Sequence, residues 1–156
     1  MSRDALFQQA TAALGCSFEG EIRIGGNYVP LLRDGETLYL SGQVPRVGSE
    51  VVVTGRAGAD VSLAEAQRAA KICVLRALAL LQRELGSLER VRQILRVTVY
   101  VQCTQDFTQQ SEVADGASGL LYAILDAAGG HTRTAVGVLQ LPKNATVELD
   151  LIAAVA

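Results

Sequence analysis

Residues 62–88 read SLAEAQRAAKICVLRALALLQRELGSL, and this run restricts the fold more than any other. Ser62 and Glu65 have the spacing of a capping box, in which side chains satisfy free amides of the first helical turn, and Gly86 supplies a stop. Val74, Leu78, Leu81 and Leu85 fall at helical spacing on one face, while Arg68, Lys71, Arg76, Arg83 and Glu84 are expected mostly on the watered side. A β-branched run, RVTVYVQC, follows. A second helix is expected from about Phe107 to Ala127, weakened by Gly116 and Gly119 and ended by Gly129-Gly130. Strands that alternate with helices of this length need crossover connections, so the helices must lie on a sheet.

The flanking segments supply the rest of that sheet. YVPLLRDG and ETLYLSGQVP read as two strands with Asp34-Gly35 as a tight hairpin between them, and VVVTGR reads as a third strand. RTAVGVLQ and ATVELDLIA are the last two strands, separated by a turn at Pro142-Lys143-Asn144. SRDALFQQATAALG has helical spacing, a Ser2 cap and a stop at Gly15. The expected order is βββ-α-β-α-ββ after that first helix, an α+β fold with helices on one face of a mixed sheet. Two main helices in one chain of 156 residues cannot easily cover both faces. The other face therefore predicts oligomerisation, with Val97, Val99, Val136 and Val138 packed partly against neighbouring subunits.

Length and charge bound the function. A chain of 156 residues is most simply one domain, 1–156, with residues 1–25 as an N-terminal helical extension. A net charge of −2 argues against a broad nucleic-acid footprint, which needs a basic patch. No apolar run approaches the roughly 18 residues that span a bilayer, and the N-terminus lacks a signal-peptide pattern, so a cytoplasmic location is expected. Cys16, Cys73 and Cys103 are odd in number and widely spaced, which suits core-filling thiols better than a disulfide framework. One histidine and no CxxC give no reason to expect a metal.

Nucleotide-loop and hydrolase motifs are missing from the sequence: there is no GxGxxG, Walker loop, GxSxG or HExxH. What stands out is a set of polar residues within or beside apolar strands: Tyr28, Ser41, Arg133 and Glu148. Each also has a structural reading. Ser41 can end a strand, Tyr28 can sit on a rim, Glu148 and Asp150 can form the solvated face of an edge strand, and Arg133 can pair with either carboxylate. His131, the sole histidine, reads as a loop residue at a glycine junction. A guanidinium at a strand start can also grip a carboxylate through two parallel hydrogen bonds.

The segment RTAVGVLQLPKNATVELDLIA resembles the C-terminal signature of the RidA family, also called the YjgF/UK114 or endoribonuclease L-PSP family. LYLSGQVP resembles its early SGQ-P strand, and Tyr28 lies upstream at the spacing of its site tyrosine. The likeness covers about Gly26 to the end, with the N-terminal helix resembling an addition found in one branch. It implies a chorismate-mutase-like fold, a homotrimer with sheets inside and helices outside, and ligand clefts between subunits. It implies Arg133 as the grip on a substrate carboxylate, Glu148 as the residue that positions or activates water, and Tyr28 and Ser41 as polar walls. Ala135 takes the place of a cysteine common in the family, and Gly137 that of an acidic residue. The implied reaction is hydrolysis of an enamine or imine, such as 2-aminoacrylate, to a 2-keto acid and ammonia, with no cofactor. A trimer that binds small carboxylates without turnover and the ribonuclease role in the family's name are the other implied functions.

Overall fold

The computed structural model describes residues 1–156. Helix α1 (Arg3–Ala13) starts where the Ser2 hydroxyl accepts the Ala5 amide. A hairpin of β1 (Leu31–Asp34) and β2 (Thr37–Gln43) turns at Gly35, whose positive φ of 61° suits a residue without a Cβ. The expected strand VVVTGR is largely absent. Only β3 (Arg46–Val47) and β4 (Glu50–Val51) pair, as a two-residue ribbon, and Val53 instead turns its side chain into the core.

Helix α2 (Leu63–Leu85) has the expected bounds: Ser62 Oγ accepts from the Glu65 amide, and Gly86 ends it in the left-handed conformation. Next come β5 (Val91–Gln102), α3 (Gln110–Leu125), β6 (Thr132–Val138) and β7 (Val147–Val155). The sheet order is β1-β2-β7-β5-β6; β5 and β6 are parallel, and all other neighbours are antiparallel. The last strand thus inserts at the centre, between β2 and β5. Glu148 and Asp150 are therefore not on an edge, which removes the solvated-edge reading.

Alternation decides the two faces. Leu38, Leu40, Val97, Val99, Val101, Leu149 and Leu151 are buried beneath the helices, with α2 and α3 packed over them. Val97 and Val99 thus belong to the core within one chain, not to a subunit contact as expected. The open face carries the other parity: Tyr39, Arg96, Thr98, Tyr100, Val136, Glu148, Asp150 and Ile152. Tyr39 and Val136 remain 45% and 40% exposed there.

Arg76 corrects the expected polar face of α2. It is 3% exposed, because the irregular segment between α1 and β1 crosses that side of the helix. Residues 1–25 are thus tied to the core. Asp4 adds to this by accepting from Gln82 (2.7 Å), the Leu88 amide (3.0 Å) and Ser87. Burial alone would raise its carboxyl, but these hydrogen bonds outweigh it and hold it below the ordinary aspartate value. A depressed carboxyl contributes stability above its unfolded pKa and loses it as pH falls through the folded one. Asp4→Asn is expected to cost about 1–2 kcal/mol at neutral pH, with the deficit shrinking in acid. Urea melts at neutral and acidic pH check both.

Candidate functional site: an arginine-lined cleft around Glu148

Near the end of β2 the alternation breaks. The β2–β7 register shifts between Leu40 and Gln43, so that Ser41 and Gly42 bulge and Gln43 turns inward to 3% exposure. Gly42 has a reason to lack a side chain. An added Cβ would overlap Glu148 Oε1 and lie 3.0 Å from its Cδ. The SGQ motif therefore marks the point where the Glu148 carboxylate crosses the neighbouring strand. Gly42→Ala is expected to push Glu148 aside with little effect on folding, because the atoms that must yield are the far end of a flexible side chain. Near-unchanged thermal melts beside any function of Glu148 reduced as far as by its own substitution would check this.

Ser41 serves as a tether. Its hydroxyl donates to Val29 O (2.7 Å) and its amide to Pro30 O (2.9 Å), which fixes the loop carrying Tyr28. Tyr28 and Glu148 then share a cleft of about 350 Å³ with Gly42, Gln43, Pro142 and three arginines: Arg23, Arg46 and Arg76. Of the sequence-derived site residues, the structure brings these two together within one chain.

The electrostatics of the cleft are unusual for an acidic protein. Burial raises the Glu148 carboxyl, and the negative charge of Asp150 raises it further. Asp150 is likewise raised by burial, against the opposing effects of Tyr100 and Arg96. Glu148 has no basic partner within 4 Å: the four ion pairs are Arg3–Glu89, Arg68–Glu65, Arg92–Glu36 and Arg133–Asp115. The cleft arginines have no carboxylate partner either. Arg76 donates to Gln43 Oε1 (3.2 Å), Arg46 O (2.8 Å) and Arg23 O (2.9 Å), and burial lowers its pKa. It holds two walls of the cleft by their backbones. Arg46 Nε is buried and has no hydrogen-bond partner.

Arg133 and Ala135 lie elsewhere, on edge strand β6. Arg133 turns to the helix side, the face opposite Glu148, and pairs with neither Glu148 nor Asp150. It donates to Asp115 (2.9 Å), Ser118 Oγ (3.0 Å) and Ser111 Oγ (2.8 Å) on α3. His131 supports this arrangement. Gly129 O, which can only accept, lies 2.7 Å from Nδ1, so that nitrogen carries a proton, and Nε2 shares a hydrogen bond of 2.8 Å with the Ser118 hydroxyl. Gly137 follows on the same strand, where a Cβ would press on Cys103 Sγ and Gln110.

Sequence reasoning missed Arg23, Arg46 and Arg76. Arg76 left a trace, a lone cation inside CVLRALALL; Arg46 and Arg23 left none. The stripe Ser111, Asp115, Ser118, at i, i+4, i+7, was a legible partner for Arg133.

Comparison with known proteins agrees with this fold. The family profile described as "YjgF/chorismate mutase-like, putative endoribonuclease" matches residues 11–155. Protein TCP17 of Trypanosoma cruzi is 40% identical over 127 residues, which is 81% of this chain and 79% of that one. The crystal structure of Atu1372 from Agrobacterium tumefaciens superposes with a TM-score of 0.87 at 35% identity, covering 99% of this chain and 95% of that one. A Shewanella oneidensis structure sharing the endoribonuclease designation gives a TM-score of 0.87 at 30% identity, over 96% and 99%. With a profile match along nearly its whole length and a relative 40% identical over most of it, the chain belongs to the YjgF/chorismate mutase-like family.

Proposed function

We propose that the protein is a homotrimer that hydrolyses reactive enamines and imines, of the 2-aminoacrylate type, to 2-keto acids and ammonia. The observation that carries this is Glu148, a half-buried carboxylate with a raised pKa and no ion-pair partner, facing a cleft lined by cations. A general base works best when its pKa approaches the working pH, and burial moves Glu148 in that direction. The enamine tautomerises to the imine; water then adds to the electrophilic carbon while Glu148 takes its proton. Return of that proton to nitrogen gives the neutral carbinolamine, and transfer of its hydroxyl proton through Glu148 to the amino group lets ammonia leave as the C=O bond forms. Tyr28 bounds the cleft, and Ser41 holds the Tyr28 loop.

The open sheet face supports assembly, since Tyr39, Val136 and Ile152 interrupt its polar residues with apolar area that further copies of the chain would cover. In this reading Arg133, on an unpaired sheet edge, reaches the cleft of a neighbouring subunit and grips the substrate carboxylate, with Ala135 beside it. A second reading, carboxylate binding without turnover, is favoured by one observation: the cleft arginines Arg23, Arg46 and Arg76 have no carboxylate partner, and an anion site of that kind needs no base. Ammonia and keto-acid release from a panel of freshly generated imines separates the two. Release above the solvent rate is expected. Keto-acid binding with no release from any imine would leave the second reading standing.

A further inference from the structure

The cleft carries more positive charge than hydrolysis of a simple imine requires. Three arginines line it, Arg23, Arg46 and Arg76, against the single carboxylate of Glu148. Three positive charges less one negative leave an excess of two, in a chain whose net charge is −2. None of the three arginines has a carboxylate within ion-pair distance in the protein.

The three differ in what they can still do. Arg76 uses three of its five N–H donors on protein acceptors and is 3% exposed, so it acts as a fixed charge in the cleft wall. Arg23 is exposed at the mouth. Arg46 is held by its backbone: its carbonyl accepts from Arg76 and its amide donates to Val44 O at 2.8 Å. Its Nε is nonetheless buried and unpaired. A charged donor removed from water without an acceptor is costly, and native structures keep few of them. The two terminal nitrogens of Arg46 also make no hydrogen bond within the protein and, unlike Nε, are not buried; two coplanar terminal N–H donors take a carboxylate end-on through two parallel hydrogen bonds.

We propose that Arg46 is the docking residue for a second carboxylate, so that the preferred ligands are dicarboxylic: 2-imino acids with an acidic side chain, and the corresponding 2-keto diacids. A dianion offsets both charges of the excess carried by one chain's cleft, and a monocarboxylate only one; Arg133 of a neighbouring subunit would add to that excess. The cleft, at about 350 Å³, has room for a chain of four or five carbons. The turnover part of this proposal rests on the imine-hydrolase reading; the binding part does not.

Calorimetric titration with 2-oxoglutarate and 2-oxobutyrate tests the binding part, and ammonia release from the imines of glutamate and alanine tests turnover. The diacid is expected to bind about tenfold or more tightly than the monoacid, the worth of one charge-assisted contact. Arg46→Gln should weaken 2-oxoglutarate binding about tenfold more than it weakens 2-oxobutyrate binding and so erase the preference, while Arg46→Lys, which keeps the charge without the fork, should retain part of it. Equal affinity of the wild-type protein for both acids would overturn the proposal without recourse to any variant. So would an Arg46→Gln protein that melts normally and loses both ligands alike. Diacid preference with no ammonia from either imine would sustain the Arg46 subsite and reject the hydrolase reading instead.

Discussion

Replacing Glu148 by glutamine is expected to lower imine hydrolysis by at least about 100-fold, the usual share of a positioned base. Glutamine keeps the shape and one acceptor oxygen in place of the carboxylate, so 2-keto acid binding should stay within a few-fold of wild type. Two pH effects accompany this. The base must be ionised, so wild-type activity should fall on the acid side around a midpoint above the ordinary glutamate range, because burial and Asp150 raise this carboxyl. In stability the sign is reversed from that of Asp4. A raised carboxyl holds its proton in the folded state after the unfolded chain has lost it; its contribution is present below the unfolded pKa and fades as pH rises through the folded one. The glutamine variant, which never ionises, should therefore melt no lower than wild type at neutral pH. Rates and melts across the acid range check both parts; unchanged turnover would remove Glu148 from the chemistry.

Arg76→Ala is expected to have the largest effect on the fold. The change strips hydrogen bonds from Gln43 Oε1, Arg46 O and Arg23 O, all from one buried cation. At about 1.5–3 kcal/mol for a bond to a charged group, partly recovered by water, the loss should be roughly 3 kcal/mol. In a chain of this size that corresponds to a fall in melting temperature of about 6–12 °C. The damage should be local as well as global. Hydrogen exchange should quicken first around Arg23 and Arg46, whose carbonyls lose their donor. Arg76→Lys should recover only part of the stability, because one ammonium cannot reach three acceptors set in a planar fork.

The helices are legible in the sequence because their signals are local. Ser62, Glu65 and Gly86 state the ends of α2 within a few residues of where they act. Arg76 is not legible in this way. Its burial depends on a carbonyl 53 positions earlier, and helical periodicity carries no record of a segment that crosses the polar face. The strand VVVTGR fails for a related reason: β-branched residues prefer extended backbone, yet only Glu50–Val51 finds a partner strand. The alternation around Glu148 and Asp150 is correct, but a period of two cannot distinguish an edge from a centre; the pairing of β7 with both β2 and β5 decides that. Family resemblance places Glu148 and Tyr28 in one site, and the chain folds them into one cleft. Arg133 folds away from them, onto α3.

That separation makes subunit mixing the most direct measurement. Glu148→Gln and Arg133→Lys should each be folded and nearly inactive, the second because lysine lacks the two-donor fork but can still pair with Asp115. If Glu148 of one subunit works with Arg133 of the next, equal co-expression of the two variants should rebuild intact clefts. In a randomly mixed ring roughly one quarter of the clefts receive both native residues. Ammonia release from freshly generated 2-aminoacrylate should therefore return to about that fraction of wild type. Mixed assemblies as inactive as either parent would contradict a cleft shared between subunits.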